Sequence, residues 1–258
     1  MRIDKVKAGA AFDEYVSHYN SKEEKVRLKI EHTYRVSVLC EEIAGSLELP
    51  NEDVDLAWLI GLLHDVGRFE QLKNYGTFID AKSIDHAHYG ADILFCQGRI
   101  RDYIEDEEED KLIETAVRFH SAYRIPDGLD ERTELFCNII RDADKIDILK
   151  VNVEFPLEEI YNVSTKELRE GQVTAEVMDS FDKEHAVLRS LKKTAVDNVV
   201  GHISLVYELV FPISLGIVKE QGFLDKLMNF ESDNAETGKQ FVHIREKMKE
   251  YMQKHTDC

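Results

Sequence analysis

The stretch LIGLLHDVGRFE, residues 59–70, places an adjacent histidine and aspartate, His64 and Asp65, at the end of a strongly apolar run. Burying two such side chains costs free energy unless each finds a partner. For the ionised carboxylate that cost is several kcal/mol, and a bound divalent metal ion compensates it most directly. The stretch therefore predicts a buried helix, ending at Gly67, whose last turn presents two metal ligands.

Apolar residues recur at helical spacing on both sides of this stretch. Upstream, the pattern predicts a long amphipathic helix from about Ser21 to just before Pro50, and then a second helix capped by Asn51. Downstream, residues 69–82 show no pattern and are expected to be irregular, with Ser83 capping a third helix. The remaining helices are expected at about 110–121, 131–149 (capped by Asp130), 174–182, 187–211, 213–229 and 235–255.

The composition favours helices over strands. Of 258 residues, 43% are apolar, while only 13 are glycine and 4 are proline, which is few for a strand-and-turn architecture. We therefore predict an all-α protein. Its expected organisation is a metal-binding helical domain at residues 1–150, with a C-terminal helical extension at 151–258 packed on it as one compact unit.

Charge and cysteine content limit the classes of partner and the compartment. The net charge is −18 and acidic residues are spread over the chain, so we expect no nucleic-acid polymer as a partner. The cysteines are Cys40, Cys96, Cys137 and Cys258. None forms a Cys-x-x-Cys pair, so we expect neither a disulfide framework nor a thiolate zinc site, and a cytoplasmic location fits. The charged N-terminus and an apolar stretch interrupted by Glu208 and Pro212 predict neither a signal peptide nor a membrane span.

Two further ionisable residues lie on predicted amphipathic helices, one before and one after the His-Asp pair. They are His32 in HTYRV and Asp144 in RDADKID. Imidazole and carboxylate groups together suit divalent ions such as Mn, Fe, Ni, Zn or Mg. We therefore expect a metal ion held by His32, His64, Asp65 and Asp144.

In their order and local context, these motifs resemble the HD superfamily of metal-dependent phosphohydrolases, whose pattern is a histidine, a His-Asp doublet and a distant aspartate. The resemblance covers about residues 20–150 and rests on HTYRV, LLHDVGR and RDADKID. It implies an HD-domain helical bundle, here with additional C-terminal helices. It also implies an enzyme that hydrolyses phosphoric ester bonds.

Two more histidines, in DHAHYGA and VRFHSAYRIP, lie where two-metal members of that superfamily have extra ligands. We choose His86 rather than His88 because it precedes Gly90 by four residues, as in the His-x-x-x-Gly arrangement of those relatives. By resemblance, Asp65 would bridge two ions, and His86 and His120 would complete the second position. The alternative is that both histidines cap main-chain groups at helix ends.

The sequence also departs from the pattern of some relatives. It contains no GYP signature, and His120 is followed by Ser121 rather than by a second histidine. Leu28 replaces the acidic residue that precedes the first histidine in cyclic-dinucleotide phosphodiesterases of this type. That substrate class is therefore disfavoured.

Three basic residues adjoin the proposed ligands and are expected to bind substrate: Arg35, Arg68 and Lys145. Arginine can pair with phosphate oxygens in a fork geometry, so such residues suit a phosphorylated substrate. The alternative is that they neutralise neighbouring carboxylates such as Asp142 and Asp147.

The expected reaction is hydrolysis of a small phosphorylated molecule, whether a nucleotide, a phosphomonoester or a phosphodiester. One or two divalent ions would lower the pKa of a bound water, and the hydroxide would attack phosphorus. Asp65 would hold the metal and orient the nucleophile, while His86, His88 or His120 could protonate the leaving oxygen. Two alternatives stay open: a di-iron oxygenase with the same ligand order, and a non-catalytic regulator that binds a nucleotide or metal. Residues 151–258 could also form a homo-oligomer interface.

Overall fold

The computed structural model describes residues 3–256, which form helices joined by loops and short turns, with no strand among them. The prediction of an all-α protein is confirmed. In chain order the α-helices are α1 Lys5–Ser17, α2 Glu24–Ser46, α3 Asn51–Leu63, α4 Val66–Tyr75, α5 His86–Ala91, α6 Asp110–Phe119, α7 Glu131–Glu154, α8 Leu157–Tyr161, α9 Thr165–Glu170, α10 Ala175–Asp182, α11 Ala195–Ile203, α12 Pro212–Gln221, α13 Phe223–Met228 and α14 Ala235–Thr256.

The chain divides into two compact units, Met1–Asp144 and Lys145–Cys258. The division falls inside α7, whereas the boundary predicted from the sequence, residue 150, lies further along the same helix. That residues 151–258 pack on the first domain stays a prediction.

Helices α2 and α3 pack side by side in the first unit. They approach closely because Gly61 has no side chain: a Cβ there would lie 2.6 Å from Ser37 Cα and 3.0 Å from Cys40 Sγ. Every residue of α3 from Leu56 to Leu63 is buried, as expected for a helix that is apolar on all sides. The close pair brings α2 against the chain segment that follows α3.

The His-Asp doublet lies in a turn between two helices. Helix α3 ends at Leu63 and α4 begins at Val66, so the prediction of one helix continuing to Gly67 was wrong. Asp65 has φ −108° and ψ 15°, outside the α-helical region, and this conformation ends α3 and redirects the chain. The doublet is therefore positioned by a helix junction.

Helix α1 was not predicted, because charged residues separate its apolar ones. Ala8, Phe12 and Val16 nevertheless recur at four-residue spacing and form its buried face. The Tyr15 hydroxyl donates a hydrogen bond of 2.9 Å to the Val66 carbonyl, which attaches α1 to the first residue of α4. Helix α1 thus supports the junction that carries the doublet.

The segment expected to be irregular, 69–82, is largely helical. Helix α4 continues to Tyr75 and ends where Gly76 adopts a positive φ of 66°, a left-handed conformation that favours glycine. The next helix, α5, is capped by Asp85 rather than by Ser83, because the Asp85 side chain accepts from the first main-chain N–H groups of α5.

Two other predicted caps gave opposite results. Asp130 caps α7 as predicted, since its side chain accepts from the Thr133 N–H at 3.0 Å. Asn51 is not the cap of α3 but its first residue, because Pro50 stands before it in the capping position. Proline fixes an extended entry into the helix without a side-chain hydrogen bond.

Helices α10, α12 and α13 pack against α14 in the second unit. The helix predicted at 187–211 is much shorter, because α11 spans only Ala195–Ile203 and a 3₁₀ turn, Ser204–Glu208, follows it. The helix predicted at 213–229 is divided by Gly222, whose φ is +68°. The short helices α8 and α9 were not predicted.

Within the described range 3–256, no helix combines the length and the apolar content needed to cross a bilayer. Cys40, Cys96 and Cys137 are free thiols. Cys258 lies outside the described residues.

Candidate metal centre

Four histidines and two aspartates from separate segments of the first unit lie together. They are His32 on α2, His64 and Asp65 in the turn after α3, His86 at the start of α5, His120 directly after α6, and Asp144 on α7. The four imidazoles and the Asp65 carboxylate are at most 3% exposed. The structure thus brings together all six residues that the sequence analysis proposed as metal ligands.

Three of these residues form what we call the first ligand group, His32, His64 and Asp144. The Nε2 atoms of His32 and His64 are 3.3 Å apart. The Asp144 Oδ1 atom lies 3.2 Å from His32 Nε2 and 3.9 Å from His64 Nε2. One ligand atom from each residue therefore faces a common point.

The other three residues form the second ligand group, Asp65, His86 and His120. The Nε2 atoms of His86 and His120 are 3.1 Å apart, and they lie 3.5 Å and 3.7 Å from Asp65 Oδ1. The second oxygen of Asp65, Oδ2, lies 3.6 Å from His32 Nε2 and 3.5 Å from His64 Nε2. Asp65 therefore presents one carboxylate oxygen to each ligand group.

Hydrogen bonds on the far side of three imidazole rings determine which nitrogen carries the proton. The Nδ1 atoms of His64 and His120 lie 2.7 Å from the carbonyl oxygens of Gly61 and Val117, which can only accept. His86 Nδ1 lies 2.9 Å from a carboxylate oxygen of another residue. In a neutral ring the proton is therefore on Nδ1, and the Nε2 lone pair faces the ligand groups.

Burial and charge set the protonation states in this region. Burial lowers the pKa of His86 and of His120 to about 4, and it also lowers the pKa of His64. Burial alone would raise the pKa of Asp65, but the nearby Lys29 ammonium holds it well below its ordinary value. At neutral pH the three imidazoles are therefore neutral and the carboxylate is ionised.

A divalent cation fits this arrangement. The unprotonated Nε2 atoms of His64, His86 and His120 and the carboxylate oxygens are all acceptors, so they cannot hydrogen-bond to one another. Asp65 Oδ1 is buried without a hydrogen-bond partner. At metal–ligand bond lengths of about 2.1 Å, two ligands of one ion stand about 3.0 to 3.4 Å apart. The observed separations of 3.1 to 3.9 Å lie close to that range. The residues present therefore suit one ion in each group.

The sequence of the region that holds these groups matches a known family. Residues 30–149 match the family model of the HD domain. The chain contains an HD domain. HD domains bind divalent metal ions, and all six proposed ligands lie within the matched residues. No curated protein and no solved structure matched the chain.

Two glycines allow His86 of the HD domain to lie close to the His-Asp doublet. Gly67 follows the doublet and Gly90 follows His86 by one helical turn. A Cβ at Gly67 would lie 2.2 Å from the His86 carbonyl oxygen and 2.6 Å from Gly90 N. Helices α4 and α5 therefore touch through their main chains, which brings His86 next to Asp65.

Arg68, proposed from the sequence as a substrate-binding residue, forms hydrogen bonds within the protein. Its Nη1 atom donates to Gln71 Oε1 at 2.8 Å, to the Phe78 carbonyl at 2.7 Å and to Asp80 Oδ1 at 2.8 Å. Its Nε atom lies 3.6 Å from Asp65 Oδ1. Arg68 thus joins the segment after α4 to the metal centre.

The other two proposed substrate-binding residues are half-buried. Arg35 Nη1 lies 3.9 Å from a Glu31 carboxylate oxygen, one helical turn away, which is a weak ion pair. Lys145 directly follows Asp144 on α7. That these residues bind substrate stays a prediction.

Three residues that touch the centre were missed by the sequence analysis: Lys29, Asp80 and Arg141. Lys29 Nζ donates to Asp65 Oδ2 at 2.6 Å. Arg141 donates to main-chain carbonyls at the end of α6, including those of Phe119 and Ala122, and so fixes the segment that carries His120. RDADKID contains Arg141, so the motif itself marked that position, whereas nothing in the sequence links Lys29 or Asp80 to their partners.

Asp80 controls the orientation of the His86 ring. Its carboxylate accepts from His86 Nδ1 at 2.9 Å, and that hydrogen bond, against the opposing effect of burial, lowers the pKa of Asp80. The negative charge of Asp80 fixes the His86 ring and makes its Nε2 atom a stronger metal ligand. Substituting Asp80→Asn removes that charge. We expect Mn²⁺ affinity at the second ligand group to fall about 10- to 100-fold, as measured by calorimetric titration.

Asp85→Asn is the matched control, because Asp85 adjoins His86 and caps α5, and asparagine caps helices equally well. This variant should bind Mn²⁺ like the wild type. Equal affinities for Asp80→Asn and Asp85→Asn would show that Asp80 does not position the ligand.

Proposed function

We propose that this protein is a metal-dependent phosphohydrolase that cleaves a small phosphorylated molecule, such as a nucleotide, a phosphomonoester or a phosphodiester. The observation that carries the proposal is the shared carboxylate of Asp65. Its two oxygens lie 3.5 to 3.7 Å from four imidazole nitrogens in two ligand groups. Paired cation sites of this kind suit phosphate chemistry, because two ions can stabilise both the attacking and the leaving oxygen.

The ligand chemistry supports the same proposal. Imidazole and carboxylate groups favour ions such as Mn, Fe, Ni, Zn or Mg over softer ions that thiolates select. An ion of this type lowers the pKa of a water molecule and so provides a nucleophile at neutral pH. The residues that would hold the ions are His32, His64, Asp65, His86, His120 and Asp144.

The positions of the ring protons indicate which histidines would bind metal and which could donate a proton. The Nε2 atoms of His64, His86 and His120 carry no proton, because Nδ1 of each ring donates to another acceptor. We therefore assign these histidines as ligands rather than as general acids. The remaining half-exposed candidate for protonating the leaving oxygen is His88, whose Nδ1 lies 3.2 Å from Asp85.

A phosphate-release screen tests the proposal. Purified protein would be incubated with nucleotides, sugar phosphates and phosphodiesters, each with Mn²⁺, Ni²⁺, Zn²⁺ or Mg²⁺, beside Asp65→Ala as a blank. Asp127→Ala is the matched control, because Asp127 is exposed in a loop. We expect at least one combination in which the wild type and Asp127→Ala release phosphate and Asp65→Ala does not. Identical release by all three proteins would reject the proposal.

The same preparation separates hydrolysis from the oxidative alternative. Elemental analysis of the purified protein and an oxygen electrode would be used with the substrate class that the screen identifies. We expect phosphate release without oxygen consumption, including with redox-silent Zn²⁺ or Mg²⁺. Oxygen uptake that requires bound iron would instead favour a di-iron oxygenase.

A further inference from the structure

Lys29 lies on α2 one helical turn before His32 and forms a short ion pair with the shared carboxylate. Its Nζ atom is 2.6 Å from Asp65 Oδ2. The Lys29 side chain is 16% exposed, whereas that of Asp65 is 2% exposed. The Lys29 side chain is therefore more exposed to solvent than the carboxylate that it contacts.

The Lys29 ammonium does not fill the first ligand group. Within residues 3–256, Asp65 is its sole carboxylate partner within 4.0 Å, and Asp144 lies beyond that distance. The contact is with Oδ2, the oxygen that also faces His32 and His64. Lys29 and a metal ion in the first ligand group would therefore share this oxygen as a partner.

The ammonium also keeps hydrogen-bonding capacity. It has three N–H donors, and its one hydrogen bond in the described structure goes to Asp65. The Phe78 ring lies 5.8 Å from Nζ and covers part of its surroundings, which reduces screening by water. Two donors therefore remain beside the ligand groups in a partly desolvated place.

Arg68, the other cation beside Asp65, is less available. Its Nη1 atom is shared by three acceptors within the protein, and Phe78 lies 5.7 Å from its guanidinium carbon. Moving Arg68 towards a ligand would break these contacts. Lys29 can bind a ligand while keeping its contact with Asp65.

We propose that Lys29 binds a phosphate oxygen of the substrate beside the metal ions, with Asp65 holding the ammonium in position. This inference rests on the proposed function and adds a substrate-binding residue to it. The compact ammonium binds phosphate as a point charge. Phosphate has four oxygens, so a phosphate that binds the metal ions would keep oxygens for the Lys29 ammonium, which contacts the shared Asp65 carboxylate.

Binding of inorganic phosphate to the Mn²⁺-loaded protein tests this role without turnover. Lys29→Gln keeps an amide donor for Asp65 but removes the charge, Lys29→Met removes both, and Lys29→Arg keeps the charge. Lys22→Met is the matched control, because the Lys22 side chain is exposed before the same helix. Calorimetry gives the phosphate affinity, and elemental analysis gives the Mn²⁺ content of each variant.

We expect Lys29→Gln and Lys29→Met to keep wild-type Mn²⁺ content and to bind phosphate at least tenfold more weakly. Lys29→Arg should stay within about threefold of the wild type, and Lys22→Met should match it. Wild-type phosphate affinity in Lys29→Gln, or no phosphate binding by the wild type, would overturn the proposal. So would loss of Mn²⁺ from Lys29→Gln, because Lys29 would then support the ligands instead.

The outcome is separable from that of the phosphate-release screen. A Lys29-dependent loss of phosphate binding in a protein that cleaves none of the tested substrates would contradict the proposed hydrolysis and support the role of Lys29. Cleavage by the wild type with unchanged phosphate binding in Lys29→Gln would support the proposed hydrolysis and contradict the role of Lys29.

Discussion

Replacing Gly67 with alanine is expected to destabilise the first unit by about 3 kcal/mol, which is at the upper end of the usual cost of overpacking. The new Cβ would lie 2.2 Å from the His86 carbonyl oxygen and 2.6 Å from Gly90 N. Both are main-chain atoms, so no side-chain rotation can relieve the overlap. Helices α4 and α5 must move apart, and His86 then moves away from Asp65.

The measurement is urea unfolding followed by circular dichroism, together with the Mn²⁺ content of the folded protein. Gly9→Ala is a sharp control because Gly9 lies within α1 and a Cβ there would meet nothing within 4 Å. That substitution should stabilise the protein by about 0.5 to 1 kcal/mol, since alanine favours helix. Opposite signs for the two variants are therefore expected, and a neutral Gly67→Ala would show that α4 and α5 do not touch as described.

His64 and Asp65 could be proposed from the sequence because they end an apolar run, and His32 and Asp144 because each is an ionisable residue on a predicted amphipathic helix. His86 and His120 were proposed by resemblance to two-metal members of the HD superfamily. LLHDV in particular stands at the end of a run with no other ionisable side chain. Burying such residues costs free energy unless a partner compensates it, and this need can be inferred from the sequence alone. The all-α class was equally accessible, since few glycines and prolines and many strong helix formers favour one outcome.

The interruption between α3 and α4 could not be predicted in the same way. Residues 59–66 continue an apolar helical pattern, and Gly67 was the first visible stop signal. The chain leaves the helix earlier, at Asp65, where φ is −108°. Tertiary contacts accompany this break, among them the hydrogen bond from Tyr15 to Val66 across fifty-one positions. Helix propensity depends on local sequence and so does not reveal a partner that is distant in the sequence.

The supporting residues were missed for a related reason. Lys29 and Asp65 are separated by 36 positions, and in the sequence Lys29 is one more charged residue on an amphipathic helix. Asp80 stands in a segment without periodicity, which the sequence analysis read as irregular. The His-Asp doublet is conspicuous because its burial is costly, whereas residues that orient ligands look like ordinary surface charges.

Converting Asp65 to asparagine is expected to lower hydrolysis on the order of a thousandfold or more and to deplete both ligand groups of metal. The carboxylate contacts His32 and His64 through Oδ2 and His86 and His120 through Oδ1. Asparagine preserves the size of the side chain but removes the charge that both ions would share. It also leaves the Lys29 ammonium without its only carboxylate partner in the described structure.

A second variant, His120→Ala, tests whether Asp65 is a ligand in both groups, because His120 belongs to the second ligand group alone. His120 Nε2 lies 3.7 Å from Asp65 Oδ1 and contacts His86, whereas His32 and Asp144 pair with each other in the first ligand group. Elemental analysis after dialysis should therefore show two ions per chain in the wild type, one in His120→Ala and fewer than one in Asp65→Asn. If His120→Ala and Asp65→Asn lose metal to the same extent, Asp65 does not serve two groups. A wild type that holds a single ion would contradict the two-ion arrangement while leaving the first ligand group as its site.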